Sequence, residues 1–488
     1  MQRLAKILVA VGVFAHLATT TAQASNISLP DLGDASATSI SPAQERKLGE
    51  DFMRRARGAL AIVDDAELSD YVQTLGRKLL AGAENPAQDF FFFVVDDPTI
   101  NAFAVPGGFV GVHTGLISAA QSEAELASVM AHEITHVTQR HIPRLITEQE
   151  RATVPAMAAI LASILLASAG KNVGEAGVAL TSAAMAQRGL NFTRSFEEEA
   201  DRIGMGLLAN AGINPYAMPA FFERMQAANR HNESNLPEYL RTHPVTSNRI
   251  AEARSRAERL AAQDRPDSSE FHHVRAKLRA RAPGASEEIV RSFRDNLANG
   301  RYRDADAERY GYALALLRDK QVAAARAEIS KLIAIHPTRV NYRVAQAEIE
   351  MAAGNRTEAL AIYKAAHRER PGSVMLTRQY ANALLRSGKP AEARSLLREA
   401  LRTTRDDPAL YKMLAIAAGE TGAKAEAHQA QAEYYYLMGN PAAAVEQLRI
   451  AGRFAGDSFY LQSSIEARIA EIRQDSGLAE NKPGGKQP

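Results

Sequence analysis

The sequence contains no cysteine, and its positive and negative charges nearly cancel. Without cysteine the chain cannot form a disulfide, and a zinc site must take its ligands from histidine and carboxylate side chains. Lysine and arginine number 58 against 56 aspartate and glutamate residues. No strongly charged surface is therefore expected, and nucleic acid is not the expected partner. The 488 residues, 46% of them hydrophobic, are enough for two to four domains with a sizeable core.

The stretch HEITH at 132–136 places two histidines and a glutamate at the spacing of a metal site. Histidines four residues apart lie on one face of a helix, with about 6 Å between their Cβ atoms. His132 and His136 can therefore reach the same tetrahedral zinc ion. Glu133 flanks such a metal and can take a proton from a water that the metal activates. The alternative is an accidental pattern of two solvated histidines and a surface glutamate.

The residues around this motif predict a helix that is buried in the core. Apolar residues recur at helical spacing, at Leu126, Val129, Met130, Ile134 and Val137. Ser122 and Glu125 are predicted to form a capping box at the start of the helix. Histidine and glutamate side chains on a buried helix need a polar partner, and a metal ion provides one.

The first 24 residues have the three parts of a secretory signal peptide. Arg3 and Lys6 give a positively charged start, residues 7–17 are almost entirely apolar, and AQA at 22–24 matches a cleavage site. A membrane anchor is the alternative, but the apolar run is short for one. The absence of cysteine after the cleavage site excludes a bacterial lipoprotein. The sequence therefore predicts an exported, periplasmic protein from which residues 1–24 are removed on maturation.

A second apolar region spans residues 152–187, where only Lys171 and Glu175 carry a charge. Its first arm, 152–170, is marginal in length for a membrane span and only moderately hydrophobic, and the second, 176–187, is too short. We predict a hairpin of apolar helices that packs on the body of the domain or makes peripheral contact with a membrane.

Ahead of the HEITH helix, the pattern predicts two helices and three strands. The helices lie near 42–58 and 66–82, and the strands at 90–95, 101–105 and 109–113. His113 is predicted to be a strand residue and not a ligand, because nothing pairs with it at ligand spacing. The strand pair around 101–105 offers an edge on which an extended substrate can add as a further strand.

A zinc peptidase needs a third protein ligand and an open coordination position. The metzincin pattern would have glycine at position 139 and histidine at position 142, where this chain has Gln139 and Ile142. That class is excluded, and His141 is predicted not to be a ligand. A glutamate further along the chain is the alternative.

Three consecutive glutamates, at 197–199, compete for this role. Glu198 is in helical register with Arg202, which is an ordinary surface pair. Glu197 is in register with Asp201, on the side of the helix that carries the small residues Gly204 and Gly206. We choose Glu197 as the third ligand, with Asp201 behind the site to orient a ligand histidine.

The last third of the chain repeats with a period of 34 residues. Gly354, Gly388 and Gly422 follow this spacing, as do three Glu-Ala pairs that begin at 358, 392 and 426. Thirty-four residues with a helix-turn-helix pattern is the tetratricopeptide period. An earlier unit near 309–342 and a degenerate later one around 439–441 are predicted to extend the array. His272 and His273, ahead of the repeats, are predicted to be solvated or capping residues.

HEITH, followed by FEEEADRIG at 196–204 and THPVTSNRI at 242–250, resembles the gluzincin family that includes the HtpX and CAAX prenyl proteases. With a signal peptide and C-terminal repeats, the chain is similar to a periplasmic branch of that family over most of its mature length. The resemblance implies one zinc ion per chain on His132, His136 and Glu197. It also implies Glu133 as the catalytic base and Asp201 as the aspartate behind the ligands.

The resemblance extends to two further site residues and to a cellular role. His243 matches a histidine that caps the open position of zinc in the resting enzyme, and Arg249 matches an arginine near the catalytic centre. The family implies an endopeptidase that degrades misfolded or stalled outer-membrane proteins and assists their assembly. Its repeats would bind the assembly machinery. The rival interpretation is a chaperone or adaptor in which His243 closes a mainly structural zinc site.

The expected fold is mostly α with a small β-sheet, in which a gluzincin metalloprotease domain precedes an α-solenoid of tetratricopeptide repeats. After the signal peptide we expect the protease domain at 25–265, a linker with connecting helices at 266–305 and the repeats at 306–475. A disordered tail is expected at 476–488.

Overall fold

The computed structural model of the protein describes residues 40–83, 89–148, 157–158, 161–162, 164–165, 194–229, 237–260 and 265–478. The predicted signal peptide at 1–24, most of the predicted apolar hairpin at 152–187 and most of the predicted tail lie outside the described residues.

The first part of the described chain consists of helices around a small sheet, as the sequence predicts. Helices α1 (Pro42–Ala59) and α2 (Ala66–Leu80) precede strands β1 (Phe91–Val95), β2 (Ala102–Val105) and β3 (Phe109–His113). The helices that follow are α3 (Thr114–Ala119), α4 (Glu123–Thr138), α5 (His141–Glu148), α6 (Arg194–Asn210), α7 (Ala217–Asn229), α8 (Glu238–Thr242) and α9 (Ser247–Ala257). The predicted helices and strands ahead of HEITH are confirmed to within two residues at each end.

The sheet has the strand order β1-β3-β2, with β1 parallel and β2 antiparallel to the central β3. Successive strand residues face opposite sides of a sheet. Phe92 and Val94 therefore belong to the core shared with α2 and α4. Phe93 and Phe103 face the other side, where they pack with Phe52 of α1. Helices cover both faces, which explains why β1 is apolar at every position.

Helix α4 carries the HEITH motif through the middle of the protease core. The Ser122 hydroxyl caps its first turn by accepting a hydrogen bond from the backbone N–H of Glu125 at 3.2 Å. The predicted capping box is wrong in its second half, because the Glu125 carboxylate accepts from the backbone N–H of Gln121. Every residue from Glu125 to Val137 is buried. The motif therefore lies away from bulk solvent.

Helix α6 approaches α4 closely at a glycine. A Cβ atom on Gly204 would lie 3.3 Å from the backbone of Ala131 and of His132, whereas one on Gly206 would meet no atom within 4 Å. Only the first of the two predicted small residues therefore brings the helices together. This close approach places Glu197 and Asp201 of α6 beside the HEITH motif.

We expect opposite effects on stability from substituting these two glycines. Gly204→Val should destabilise the protein by about 1–3 kcal/mol, because the added atoms press on the backbone of α4. Gly206→Ala should instead stabilise it by about 0.5–1 kcal/mol, because alanine loses less backbone entropy in a helix. Chemical denaturation of both variants measures the difference, and equal stabilities would contradict the close approach.

Part of the apolar region at 152–187 packs on the protease domain. Met157, Leu161 and Ile164 are buried, and they join the core on the α1 side of the sheet. Among the described residues, no helix is both long enough and apolar enough to cross a membrane. Membrane contact by other residues of 152–187 stays a prediction.

Two connecting helices, α10 (Ser269–Arg281) and α11 (Ser286–Ala298), lead from the protease domain to the repeats. Phe271 of α10 belongs to the protease core. Lys277 of the same helix contacts Asp65 and Glu67 at the start of α2. Helix α10 is therefore packed against the protease domain, whereas Val290 and Phe293 of α11 belong to the core of the first repeats.

The prediction of a solvated or capping His273 is wrong. His273 is buried, and its Nε2 atom lies 2.7 Å from the hydroxyl of Tyr342 in the repeats. Tyr310 of the repeats completes this contact by donating a hydrogen bond to Glu67 of the protease domain. Only the long-range packing of α10 on the repeats produces this burial, which a local pattern cannot reveal.

The repeats form antiparallel helix pairs, as the 34-residue period predicts. The helices are α12 (Ala305–Arg318), α13 (Val322–Ile335), α14 (Val340–Ala352), α15 (Arg356–Glu369), α16 (Val374–Arg386), α17 (Pro390–Ala400), α18 (Pro408–Glu420), α19 (Lys424–Leu437), α20 (Pro441–Arg453) and α21 (Phe459–Ser476). Gly354, Gly388 and Gly422 end the first helix of a pair with φ of 84°, 69° and 77°. Lys320 and Gly456 take the same left-handed conformation. They lie one period before and after (354 − 320 = 34; 456 − 422 = 34), which extends the array in both directions.

Candidate metal centre

Four buried side chains from three segments of the protease domain converge on one point. They are His132, His136, Glu197 and His243, and one potential ligand atom from each lies within 4.8 Å of those of the others. The histidines of α4 are one helical turn apart, Glu197 comes from the first turn of α6, and His243 ends the short helix α8. Imidazole and carboxylate are ligands that zinc accepts.

The two histidines of α4 present the same ring nitrogen to this point. The Nε2 atoms of His132 and His136 lie 3.0 Å apart. The Glu197 carboxylate faces both, at 3.4 Å from Nε2 of His132 and 3.5 Å from Nε2 of His136. Three donors thus surround a common position at the edge of α4. Two imidazole nitrogens and a carboxylate that face one position fit a zinc ion.

A charged chain behind the cluster holds His132 in place. Oδ1 of Asp201 lies 3.0 Å from Nδ1 of His132. Arg249 of α9 donates to both oxygens of Asp201, at 2.7 and 2.8 Å. A further Arg249 nitrogen lies 2.8 Å from Glu197. Such contacts fix the orientation of a metal-binding imidazole and increase its basicity. Arg249 therefore contacts Asp201 and Glu197 together and holds both carboxylates in position.

His243 lies between the predicted ligands and the predicted base. Its Nδ1 atom is 3.0 Å from Oε1 of Glu197 and 3.3 Å from Nε2 of His132. Its Nε2 atom is 3.4 Å from Oε1 of Glu133. The ring of Tyr239 stacks on His243 with a centroid separation of 4.9 Å. The imidazole therefore occupies space on the same side of the cluster as Glu133.

Glu133 is buried, and its Oε1 atom has no hydrogen-bond partner among the described residues. Burial raises the pKa of Glu133, and the nearby His243 and His132 offset this rise only in part. The backbone of Ala104 in β2 also hydrogen-bonds the carboxylate. A carboxylate in such surroundings readily accepts a proton. Its environment suits a general base.

Burial and neighbouring charges shift the pKa values of the other groups in the cluster in different directions. Burial disfavours the protonated form of His132, but Glu197 and Asp201 outweigh it and raise the pKa of His132 to about 9. Burial and the charge of His132 lower the pKa of His136 well below its ordinary value. Burial also opposes the ionisation of Glu197, yet His243 and His132 hold its pKa well below the usual range. The Glu197 carboxylate therefore stays ionised, and a divalent cation must displace the proton of His132 before that imidazole can act as a ligand.

The structure brings all seven sequence-predicted site residues into one cluster. They are His132, Glu133, His136, Glu197, Asp201, His243 and Arg249. Their individual roles stay predictions. Sequence reasoning missed Tyr239 and the contact that His141 makes with the cluster. The HEITH motif indicates metal ligands only, and it carries no signal for a tyrosine that stacks on His243.

Two family models match the chain, at the positions of its two parts. Residues 66–257 match peptidase family M48, and residues 350–417 match a tetratricopeptide repeat. The first match contains the whole cluster. The chain is therefore a metalloprotease followed by tetratricopeptide repeats.

Relatives with this combination match nearly the full chain. The β-barrel assembly-enhancing protease of Escherichia coli (strain K12) is 33% identical over 446 residues, which is 91% of this chain and 91% of the relative. That of Yersinia pestis is 33% identical over 91% of this chain and 92% of the relative. The mitochondrial metalloendopeptidase OMA1 of Arabidopsis thaliana is 36% identical over 31% of this chain and 28% of its own length. The chain thus belongs to the M48 peptidases, in the family of the β-barrel assembly-enhancing proteases.

Proposed function

We propose that the protein is a periplasmic zinc endopeptidase that degrades misfolded or stalled outer-membrane proteins and assists their assembly through its repeats. The observation that carries this proposal is the convergence of His132, His136 and Glu197 beside the buried carboxylate of Glu133. Three ligands with a neighbouring base are what metal-assisted peptide hydrolysis requires.

In this proposal His132, His136 and Glu197 hold the zinc ion, and Asp201 fixes the ring of His132. When bound, zinc supplies Lewis-acid polarisation of a water molecule and of the scissile carbonyl. Glu133 accepts the proton of the attacking water on its buried carboxylate. It then delivers the proton to the nitrogen of the leaving amine, so that the carboxylate is regenerated.

Strand β2 is the natural place for the substrate backbone. It lies at an edge of the sheet, and its Ala104 backbone hydrogen-bonds Glu133. An extended peptide that adds to this edge has its backbone beside the base. Main-chain hydrogen bonds supply affinity in this mode and require little of the side chains. That tolerance suits a protease that acts on unfolded proteins.

The cellular part of the proposal comes from the relatives and the repeats. The relatives that match 91% of the chain are named for β-barrel assembly, and residues 1–24 have the sequence pattern of a leader that directs export. Stacked helix pairs present extended surfaces to which other proteins bind. We propose that the repeats bind components of the outer-membrane assembly machinery and that unfolded envelope proteins are the substrates.

The alternative is a chaperone or adaptor whose zinc site is mainly structural or repressed. It is favoured by the position of His243. The Nδ1 atom of this residue lies 3.0 Å from Oε1 of Glu197, which is a separation that two ligands of one metal ion can have. A structural zinc site has four protein ligands, whereas a catalytic site keeps one position open. Removal of this one imidazole separates the two possibilities.

His243→Ala is expected to keep its zinc and to raise basal proteolysis, including self-cleavage. The substitution removes an imidazole that stands between the ligands and Glu133. The measurement is the rate at which an unfolded β-barrel protein is cleaved, with zinc content determined in parallel. Thr242→Ala, one residue earlier, serves as the control.

Two outcomes would count against this account of His243. A variant as inactive as Glu133→Gln, with zinc bound and the fold intact, would make His243 a catalytic helper. If His243→Ala loses its zinc, and neither this variant nor the parent cleaves the unfolded β-barrel protein, the adaptor interpretation is favoured.

A further inference from the structure

His141 is a fully buried histidine that directly contacts the predicted ligand His136. It begins helix α5, only five residues beyond His136 in sequence. Its Nδ1 atom lies 2.8 Å from Nδ1 of His136. On its other side, Nε2 of His141 lies 3.2 Å from Oε2 of Glu199. The three side chains form a row that leads away from the metal centre.

The surroundings of His141 hold its ring in one orientation. The ring stacks on Phe196 with a centroid separation of 4.6 Å and an interplanar angle of 9°. Arg144 contacts both neighbours of the His141 ring. Its guanidinium is 4.7 Å from the Phe196 ring centroid and 2.9 Å from Oε2 of Glu199. Glu199 is thus anchored at two points. The row is built from packed and hydrogen-bonded groups.

Only one arrangement of protons satisfies both hydrogen bonds when His136 binds a cation through Nε2. A neutral ligand histidine then carries its proton on Nδ1 and donates it to an acceptor. The acceptor is Nδ1 of His141, so the proton of His141 must be on Nε2. That N–H donates to the carboxylate of Glu199.

We propose that His141 is a positioning residue for the metal centre: it accepts the Nδ1 proton of His136 and so fixes the tautomer and ring orientation of that ligand, with Glu199 in turn fixing His141. This inference rests on the proposed function, because it takes His136 as a metal ligand. The two ligand histidines of HEITH are then held by different groups. His132 is held by the carboxylate of Asp201 and His136 by a neutral imidazole.

The test is a zinc dissociation constant, measured by competition with a chelator on the full chain carrying Glu133→Gln to prevent self-cleavage. His141→Phe keeps the flat ring on Phe196 but removes the acceptor. It should weaken zinc binding by about 10–100-fold. His141→Asn places an amide oxygen near the former Nδ1 position and should recover most of the affinity. Glu198→Gln, beside Glu199 on the same helix, is the matched control and should bind zinc like the parent.

A spectroscopic measurement adds a readout that a purely structural role would not change. Cobalt(II) substituted for zinc has visible absorption bands that depend on the orientation of its ligands. These bands should shift in His141→Phe and return towards the parent spectrum in His141→Asn. If His141→Phe does not fold, His141→Gln takes its place in the comparison, because its longer amide reaches towards Glu199 instead of His136.

The results separate this inference from the proposed function. Parental zinc affinity in His141→Phe, or equal weakening in the phenylalanine and asparagine variants, would overturn the role of His141. His136→Ala is measured alongside. If His136→Ala also keeps zinc, the ligand assignment of the proposed function fails. If it loses zinc while His141→Phe keeps it, only the positioning role is rejected.

Discussion

His132→Ala is expected to lose most of its zinc. His132 contributes its Nε2 atom to the cluster and faces Glu197 at 3.4 Å, so its removal leaves two of the three proposed ligands. It also leaves Asp201 without the imidazole that it contacts at 3.0 Å. Elemental analysis of the purified protein should find about one zinc ion per parent chain and only a small fraction of that in the variant.

A matched control is available in the repeats. His336 lies far from the cluster in sequence and is paired with Asp306 on a partly exposed surface. His336→Ala should retain the zinc content of the parent, which shows that the loss is specific to the site. Full zinc retention in His132→Ala would remove His132 from the ligand set.

Glu133→Gln should fold normally and hold zinc, yet cleave casein and itself about 10²–10⁴-fold more slowly than the parent. Glutamine keeps the size of the side chain and one oxygen that accepts a hydrogen bond, but it cannot take a proton at neutral pH. The carboxylate it replaces is buried, and burial raises its pKa, which favours acceptance of a proton. Initial cleavage rates at equal zinc content measure the effect.

Glu252→Gln on the surface of α9 provides the control for this substitution. Glu252 is exposed, so its neutralisation should leave cleavage unchanged. Parental rates in Glu133→Gln would exclude Glu133 from the mechanism and leave the metal centre without an identified base.

Local patterns predict the elements of this fold because they follow directly from backbone geometry. Helical spacing of apolar residues predicts the HEITH helix, and a 34-residue period predicts the repeat turns. The left-handed turn at Lys320 was not predicted, because such a turn is recognised in a sequence mainly by a glycine. The structure shows lysine in that conformation with a φ of 63°. Packing of the array determines the conformation there, against the preference of the residue itself.

The candidate site is predictable where its residues lie at fixed helical spacing. Register with Asp201 distinguishes Glu197 from its neighbours, and the structure places Glu197 in the cluster. Glu199 points elsewhere, to a histidine 58 residues away in sequence. His273 likewise meets Tyr342 across 69 residues. No spacing rule connects such positions, so their roles become visible only when the helices are packed together.

The most direct test of the central claim is metal-dependent cleavage by the full chain. The protein is stripped with a chelator, assayed on an unfolded β-barrel protein, and assayed again as zinc is returned in steps. We expect no cleavage by the stripped protein and recovery that is complete at about one zinc ion per chain. Cleavage at the full rate by protein that contains no metal would contradict the account.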